Sequence, residues 1–408
     1  MNCGLLGRTL GHSYSPRIHS QLGDYSYVLF EKEPEELETF LRHGDFTGLN
    51  VTIPYKKTVI PFLDELSDTA RRLGAVNTVV RQGDRLLGHN TDYFGFASMV
   101  SESGLSPKGK KCLVLGSGGA SATVCAVLEE LGAQVVVISR RGENHYGNLS
   151  IHGDAAILVN TTPVGMYPDT LVSPVDLSLL PNLEGVLDLI YNPARTQLLM
   201  DAESRGLVAM NGLWMLVAQA WEAARMFTGQ AIPQERIGQI YRTLKLQMEN
   251  IILIGMPGCG KTTIGQLLAE ETGKTFADSD KMICQLAGKS IPEIFVQDGE
   301  AAFRIWETQA LAQLGKCSGL VIATGGGCVT QKRNYPPLHQ NGTILWLQRD
   351  IHRLPTDGRP LSQAGSLEQM YEIRKPMYEA FADRVISNDR LPQETVCAIL
   401  NCLKEGTP

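Results

Sequence analysis

Apolar residues in this chain fall in short runs that stop at glycine or a polar residue. Cys3-Gly-Leu-Leu-Gly7, Cys112–Leu115, Ile251–Ile254 and Leu320–Ala323 are such runs. Runs of this length without alternation predict strands buried on both faces. Gln134–Ile138 and Ala155–Asn160 read the same way. Between the strands the spacing changes. Ala120–Leu131 is a helix of small residues. Leu213–Phe227 is amphipathic, with Trp214 and Trp221 expected in the core rather than at a cofactor. Strands alternating with helices predict an α/β protein built on parallel sheets. One interval breaks the alternation: Gly142–Asp154 is rich in Gly, Asn and His and lacks a helical period. A parallel crossover normally takes about a dozen residues or more and usually a helix. The sequence therefore predicts a bare loop there and an uncovered face at that sheet edge.

The run Ile251–Ile254 enters G-x-x-x-x-G-K-T, from Gly255 to Thr262. A buried strand, a glycine turn and a helix start make a phosphate-cradling loop. Gly255, Gly258 and Gly260 let backbone N–H groups face phosphate oxygens. Lys261 reaches the β- and γ-phosphates, Thr262 offers its hydroxyl to Mg²⁺, and Thr263 continues into the helix. ATP and Mg²⁺ are the expected ligands. Such a loop follows the first strand of its own domain, so the residues before 250 are predicted to form a separate module.

A second, weaker glycine turn follows Cys112–Leu115: Gly116-Ser117-Gly118-Gly119-Ala120. It keeps the first two glycines of G-x-G-x-x-G and has Ser121 at the third, small enough for helix–strand packing. The next strand ends in Ser139-Arg140-Arg141. An acidic residue there would suit the ribose 2′-hydroxyl of NAD, whereas Arg140 suits the 2′-phosphate of NADP(H). A solvated basic turn at a strand end is the alternative.

Length and composition add exclusions. The 408 residues fit two or three domains, and 43% hydrophobic with 20% charged residues is ordinary for a globular protein. A net charge of −6 leaves no electrostatic footprint for nucleic acid or an anionic membrane. The nine cysteines include no C-x-x-C pair, so they read as reduced thiols in a cytoplasmic protein rather than a disulfide or zinc framework. No run approaches the ~18 apolar residues of a membrane span. The opening strand-like segment implies no leader peptide.

Three polar clusters precede the NADP loop. They are Gly11-His-Ser13-Tyr-Ser15-Pro16, Gly48-Leu-Asn50-Val-Thr52-Ile-Pro54-Tyr-Lys56, and Asn77-Thr78 with Asn90-Thr91-Asp92. Ser, Thr and Asn offer short directional hydrogen bonds to a polyhydroxylated ring. Lys56 and Asp92 can form an acid–base pair, the carboxylate holding the ammonium and the ammonium handling a substrate proton. Singly, each residue reads as a turn cap or a surface charge.

As a set, G-H-S-Y-S-P, N-V-T-I-P-Y-K, A-V-N-T, N-T-D-Y-F-G, G-S-G-G-A, N-T-T-P-V-G-M and M-L-V-A-Q-A resemble the shikimate dehydrogenases, in the same order, over about residues 1–245. The resemblance implies NADPH-dependent reduction of 3-dehydroshikimate to shikimate. It makes Lys56 catalytic with Asp92, and Ser13, Ser15, Thr52, Asn77, Asp92 and Gln219 substrate contacts. It puts Tyr191, in Leu-Ile-Tyr-Asn-Pro, near nicotinamide and substrate. The family also packs the helix bearing Gln219 back on the N-terminal part, so the first domain is expected to be discontinuous.

Beyond residue 250 come Asp278-Ser-Asp280, Asp298-Gly-Glu-Ala-Ala-Phe303-Arg304, Thr324-Gly-Gly326-Gly327, Asp357-Gly-Arg359-Pro-Leu and Arg374-Lys-Pro-Met-Tyr. Paired aspartates near a phosphate loop suit Mg²⁺ and an acceptor hydroxyl, and two arginines can hold a carboxylate. Together these motifs resemble shikimate kinase over about 250–408. By that resemblance Asp280 binds the ring hydroxyls and acts as base, and Arg304 and Arg374 clamp the carboxylate. Gly326 and Gly327 give backbone N–H groups, Asp278 and Thr262 serve Mg²⁺, and Arg359 reaches in from a lid over Arg349–Arg359, with Pro355 and Gly358 as hinge residues. Glycerate and gluconate kinases share the loop but are expected to lack the joint Asp280/Arg304/Arg374 pattern.

The combined expectation is an α/β chain in three parts. Residues 1–91 and 212–248 form a discontinuous substrate domain. Residues 92–211 form a Rossmann NADP domain, and 249–408 a P-loop kinase domain with a parallel sheet. Its partners are 3-dehydroshikimate and shikimate, without nucleic acid or membrane; a homo-oligomer is left open. The rivals are an NAD-linked quinate/shikimate dehydrogenase fused to the kinase, and a non-catalytic sensor that kept both folds. Arg140 speaks against the first, intact Lys56, Asp92, Lys261 and Asp280 against the second.

Overall fold

The computed structural model describes residues 1–11, 13–354 and 367–405. Among the described residues, sixteen strands form three sheets. The first holds β1 (Asn2–Gly7), β2 (Ser26–Glu31), β3 (Gly48–Val51), β4 (Glu65–Leu66), β5 (Thr78–Gln82) and β6 (Arg85–His89) in the order β2-β1-β3-β5-β6-β4. It is mixed: β1 lies parallel to β2 and β3, while β5 runs antiparallel to β3 and β6. The second holds β7 (Lys111–Leu115), β8 (Gln134–Ile138), β9 (Ile157–Asn160), β10 (Gly185–Asp188) and β11 (Val208–Asn211) in the order β11-β10-β9-β7-β8, all parallel. The third holds β12 (Asn250–Ile254), β13 (Thr275–Asp278), β14 (Leu320–Ala323), β15 (Gly342–Gln348) and β16 (Arg384–Ser387) in the order β13-β14-β12-β15-β16, also all parallel.

Both parallel sheets reverse their winding at the strand that feeds a glycine loop, β7 in one and β12 in the other. That reversal opens a crevice at the carboxyl ends of the strands, where α/β folds bind ligands. The strand β12 is buried at every residue, as an apolar run without alternation requires.

The crossover from β8 to β9 differs from the expectation of a bare loop. A kinked 3₁₀ segment, Tyr146–His152, occupies it. Leu149 and His152 are buried and Tyr146 is half-buried against the core under β7 to β9. Those positions repeat every third residue. A 3₁₀ turn has about three residues per turn, so a search for the α-helical period passes over it.

Two compact units result. One comprises Met1–Val164, Ser173–Tyr191 and Leu198–Thr243; the other comprises Gly165–Val172, Asn192–Gln197 and Leu244–Pro408. Within the second unit the short stretch 192–197 is tied down by backbone contacts. Arg195 N–H donates to the Gln340 carbonyl at 2.8 Å, and the Arg195 guanidinium to the His339 carbonyl at 3.0 Å. The helix Glu235–Met248 runs almost to β12, leaving one residue, Glu249, between them.

In the first unit, helix Asp92–Glu102 packs closely on helix Leu213–Thr228. Gly95 makes this possible: a Cβ there would stand 2.8 Å from the Met215 carbonyl and 3.0 Å from the Gln219 Cβ. The contact sets the distance between Asp92 and Gln219, two of the expected site residues. Gly95→Ala should force the helices apart and destabilise the first unit by about 1–3 kcal/mol. Thermal unfolding should show a lowered first-unit transition. Melting at the wild-type temperature would mean that the contact yields freely.

Candidate functional site

Lys56 stands on the turn after β3, its backbone carbonyl accepting from Val76 N–H at 2.8 Å. Asp92 opens helix Asp92–Glu102, where the helix N-terminus favours a carboxylate. The Lys56 ammonium donates to Asp92 Oδ2 at 2.6 Å, and the side chains are 32% and 17% exposed. A short charge-assisted bond at such partial burial holds the ammonium in place while leaving it reachable.

The polar clusters are placed as follows. Ser15 starts the helix Ser15–His19 and is buried; its N–H donates to Ser13 Oγ at 3.2 Å. Thr52 follows β3 and donates its N–H to the Leu6 carbonyl at 2.9 Å. Asn77 and Gln219, both buried, are bridged by Thr91: Asn77 Nδ2 donates to the Thr91 hydroxyl at 3.1 Å, and that hydroxyl donates to Gln219 Oε1 at 3.4 Å. Tyr191 meets Tyr14 edge to face, ring centres 6.1 Å apart, which joins it to the Ser13–Ser15 segment. Burial pushes the Tyr191 phenol up from its ordinary range.

The dinucleotide loop follows β7. Gly116 has φ +102°, a left-handed conformation that favours glycine. Helix Gly119–Glu130 begins at Gly118 with no side chain capping its first N–H groups. No atom lies within 4 Å of where a Cβ on Gly118 or Gly119 would sit. An open, uncapped helix N-terminus suits a pyrophosphate, passing over Ser117 to Ala120. Arg140 is exposed just past β8, and β8 pairs with β7 so that Ile138 faces Leu115. It therefore stands at the same carboxyl end of the sheet as the glycine loop.

In the second unit, the loop after β12 lines a cavity of about 640 Å³. Gly258, Gly260, Lys261, Thr262, Thr263, Asp278, Asp280, Arg304, Gly326, Gly327 and Arg374 all contribute to its wall. Gly255 stands just before it, at φ +146°, with the Leu347 carbonyl 2.5 Å from a would-be Cβ. Lys261 donates to the Gly255 carbonyl at 2.9 Å and the Met256 carbonyl at 3.0 Å, which closes the loop on itself. Thr262 Oγ1 and Asp278 Oδ2 are 3.5 Å apart, a hydroxyl and a carboxylate placed to share a Mg²⁺. Asp278 also caps the helix Ser279–Ala287 by accepting the Asp280 N–H at 2.9 Å. Arg374 and Tyr378 both donate to the Gly326 carbonyl, at 3.2 and 2.5 Å.

Glu307 and Arg349 also line this cavity; Glu307 was not among the expected residues, and Arg349 was expected only as the start of the lid. Arg304 donates to Glu307 Oε2 and Glu300 Oε1, each at 2.9 Å, and the Glu307 side chain is 1% exposed. Burial pushes the Glu307 carboxyl up, and Arg304 pulls it back. The sequence did carry a signal. Glu307 shares the buried face of helix Gly299–Lys316 with Phe303, Ala310, Leu311 and Leu314, where a carboxylate needs a partner. Arg359, with Pro355 and Gly358, lies outside the described residues.

Comparison with known proteins follows this geometry. Residues 5–79 match the shikimate dehydrogenase substrate binding domain, and residues 257–404 match shikimate kinase. The shikimate dehydrogenase (NADP(+)) of Clostridium perfringens strain 13 is 34% identical over 264 residues, 59% of this chain and 97% of that protein. The chain belongs to the shikimate dehydrogenase family. A solved chorismate mutase/shikimate 5-dehydrogenase fusion protein from Clostridium acetobutylicum is similar at 37% identity and TM-score 0.57, over 60% of this chain and 97% of that one. Shikimate 5-dehydrogenase from Thermus thermophilus, solved with NADP(H) and shikimate, is similar at 32% identity and TM-score 0.54, over 60% and 99%. This shikimate dehydrogenase chain continues into a shikimate kinase domain.

Glu307→Gln should weaken that domain's hold on a carboxylate substrate. The neutral amide keeps the volume but releases Arg304 from its charge partner. We expect KM for shikimate in ATP-dependent phosphorylation to rise about tenfold, with KM for ATP little changed. An unchanged shikimate KM would show that Glu307 only fills space.

Proposed function

We propose that the chain catalyses two consecutive steps. One is NADPH-dependent reduction of 3-dehydroshikimate to shikimate; the next is ATP-dependent phosphorylation of shikimate to shikimate 3-phosphate, on the route to chorismate and the aromatic amino acids. The observation that supports the reading is that the described members of both expected catalytic sets lie close together within their own units. Lys56 lies 2.6 Å from Asp92 in one unit, and Lys261, Asp280, Arg304 and Arg374 wall one cavity in the other.

In the dehydrogenase, bound NADPH supplies the hydride. Lys56 gives its proton to the ketone oxygen as negative charge grows there, and Asp92 keeps the ammonium aimed. Ser13, Ser15, Thr52, Asn77 and Gln219 hold the ring, with Tyr191 at the nicotinamide side. Gly116 to Ala120 hold the pyrophosphate, and Arg140 the 2′-phosphate.

In the kinase, Arg304 and Arg374 bind the carboxylate and Asp280 takes the proton of the attacking hydroxyl. Lys261 and the backbone of Gly255, Gly258, Gly260, Thr262 and Thr263 hold the phosphates, with Gly326 and Gly327 beside the acceptor. Thr262 and Asp278 would hold Mg²⁺, which offsets phosphate charge. Arg359 is assigned to the transferring phosphate by resemblance alone. The place of action is the cytoplasm: the nine cysteines, none joined to another, fit a reducing compartment. Among the described residues no helix is long and apolar enough to cross a membrane.

Purified chain supplied with shikimate, assayed separately for NADP⁺ reduction and ATP consumption, tests the reading directly. Lys56→Ala should cut the dehydrogenase rate by ~10²–10⁴-fold and leave phosphorylation intact. Lys261→Ala should do the reverse, because it removes charge stabilisation at the transferred phosphoryl group. A variant that silences both reactions, or neither, contradicts the assignment of separate sites.

Arg140→Ala should raise KM for NADPH much more than KM for NADH, since only NADPH carries the 2′-phosphate. Equal effects on the two cofactors would show that Arg140 does not read that group.

A further inference from the structure

The buried polar side chains of the first unit form a chain whose bond directions can be deduced. The starting point is Asn77. Thr91 N–H approaches one end of the Asn77 amide at 2.6 Å. A backbone N–H can only donate, so that end is the carbonyl oxygen, Oδ1. Thr78 Oγ1 lies 3.1 Å from the same oxygen. An amide oxygen can only accept, so in that contact Thr78 is the donor; the Thr91 hydroxyl, also 3.1 Å from Thr78 Oγ1, can donate to it in turn. Towards Asn50, 3.3 Å away, Thr78 can then only accept. Asn50 must turn its NH₂ to Thr78 and its carbonyl to the Tyr27 hydroxyl, which donates at 2.8 Å.

The other end resolves in the same way. Gln219 meets the Leu216 carbonyl at 2.9 Å, which requires its NH₂ on that side. Its Oε1 faces the Thr91 hydroxyl at 3.4 Å, whose one proton also has Asn77 Oδ1 at 3.2 Å. The Asn77 NH₂ spends one hydrogen on Thr91 Oγ1. Among the described contacts, Asn77 and Gln219 each retain one N–H. The Asn77 carbonyl is committed inside the protein.

We propose that Thr78, with Asn50 and Tyr27 behind it, is a positioning residue that works with the Thr91 N–H to hold Asn77 as a donor to the substrate. The ring would then have to offer an oxygen lone pair at Asn77, as a hydroxyl or ketone oxygen does. Thr78 is 0% exposed and cannot itself touch substrate. Its placement comes from strand register: β3 and β5 pair antiparallel with Asn50 directly opposite Thr78. One hydroxyl therefore links the strand before Lys56 to the strand after Asn77. The proposal rests on the dehydrogenase reading and adds the residues that set the polarity of its ring contacts.

The test is Thr78→Val, nearly isosteric but without the hydroxyl. It leaves the Asn50 NH₂ without its acceptor and removes the Thr78 donor from the Asn77 carbonyl, which then rests on Thr91 alone. In shikimate oxidation by the full chain we expect KM for shikimate to rise about tenfold, with kcat changed less than about threefold. KM for NADP⁺ and the kinase reaction should stay at wild-type values, and Thr78→Ser should restore the shikimate KM. Tyr27→Phe, which removes a single hydroxyl at the far end of the chain, should raise the shikimate KM by a few fold and serves if the valine variant does not fold. An unchanged shikimate KM in either folded variant overturns the proposal. So does a rate loss that falls on both half-reactions, or one that Thr78→Ser fails to rescue. Failure of the unmodified chain to reduce NADP⁺ with shikimate would instead overturn the dehydrogenase reading.

Discussion

The contact between the Lys56 ammonium and the Asp92 carboxylate is the constraint around which the first unit is arranged. A bond of 2.6 Å tolerates little displacement. Lys56 comes from the turn after β3, in the mixed sheet. Asp92 opens the helix that leads to the parallel sheet. Each must arrive by its own packing. The Lys56 turn is fastened by β1 through Leu6, which accepts the Thr52 N–H, and by Val76. The Asp92 helix is fastened by the close approach at Gly95, which also presents Gln219 from the neighbouring helix. The ion pair is worth little as a surface interaction. Its value is geometric: a proton donor must be held where charge develops, and the surrounding fold provides that hold before substrate arrives.

The second unit reaches the same end with different means. Its cavity contains Lys261, Arg304, Arg349 and Arg374 opposed by Asp278, Asp280 and Glu307. Uncompensated charges at this depth would be costly. The structure answers with carbonyls on Lys261 and Arg374, and carboxylates on Arg304. Such partners hold the cations in fixed orientations.

Much of this was legible along the chain, because the legible parts are local. The two glycine loops, the strands that feed them and the helices that follow are each decided within about fifteen consecutive residues. Leu320–Ala323 and Gln134–Ile138 have the predicted bounds, and Trp221 is core. What was missed depends on distant segments or on another period. The 3₁₀ segment Tyr146–His152 repeats at three residues rather than 3.6. Thr78 stands in a polar cluster, but its pairing with Asn50 appears only when strand register places the two across from each other. Glu307 was discoverable as a carboxylate on an apolar helix face, yet its partner could be named only once the helix turn carried it to Arg304.

The two units, proposed to bind the same acid, recognise it with opposite chemistry, and the reactions explain why. Phosphoryl transfer spreads negative charge over phosphate oxygens, so a wall of cations assists both binding and reaction. Ketone reduction needs one proton delivered to one oxygen. A guanidinium beside Lys56 would repel its ammonium and compete for Asp92, lowering the group's basicity and loosening its aim. Neutral amides and hydroxyls avoid that interference, but an amide can flip and expose either a donor or an acceptor. A neutral site must therefore buy its specificity with fixed polarity; the Thr91 N–H holds the Asn77 carbonyl, and in our proposal the buried bonds from Tyr27 through Asn50 and Thr78 support it. The sets of side chains differ because the charge that each reaction creates differs, even where the ring to be held is the same.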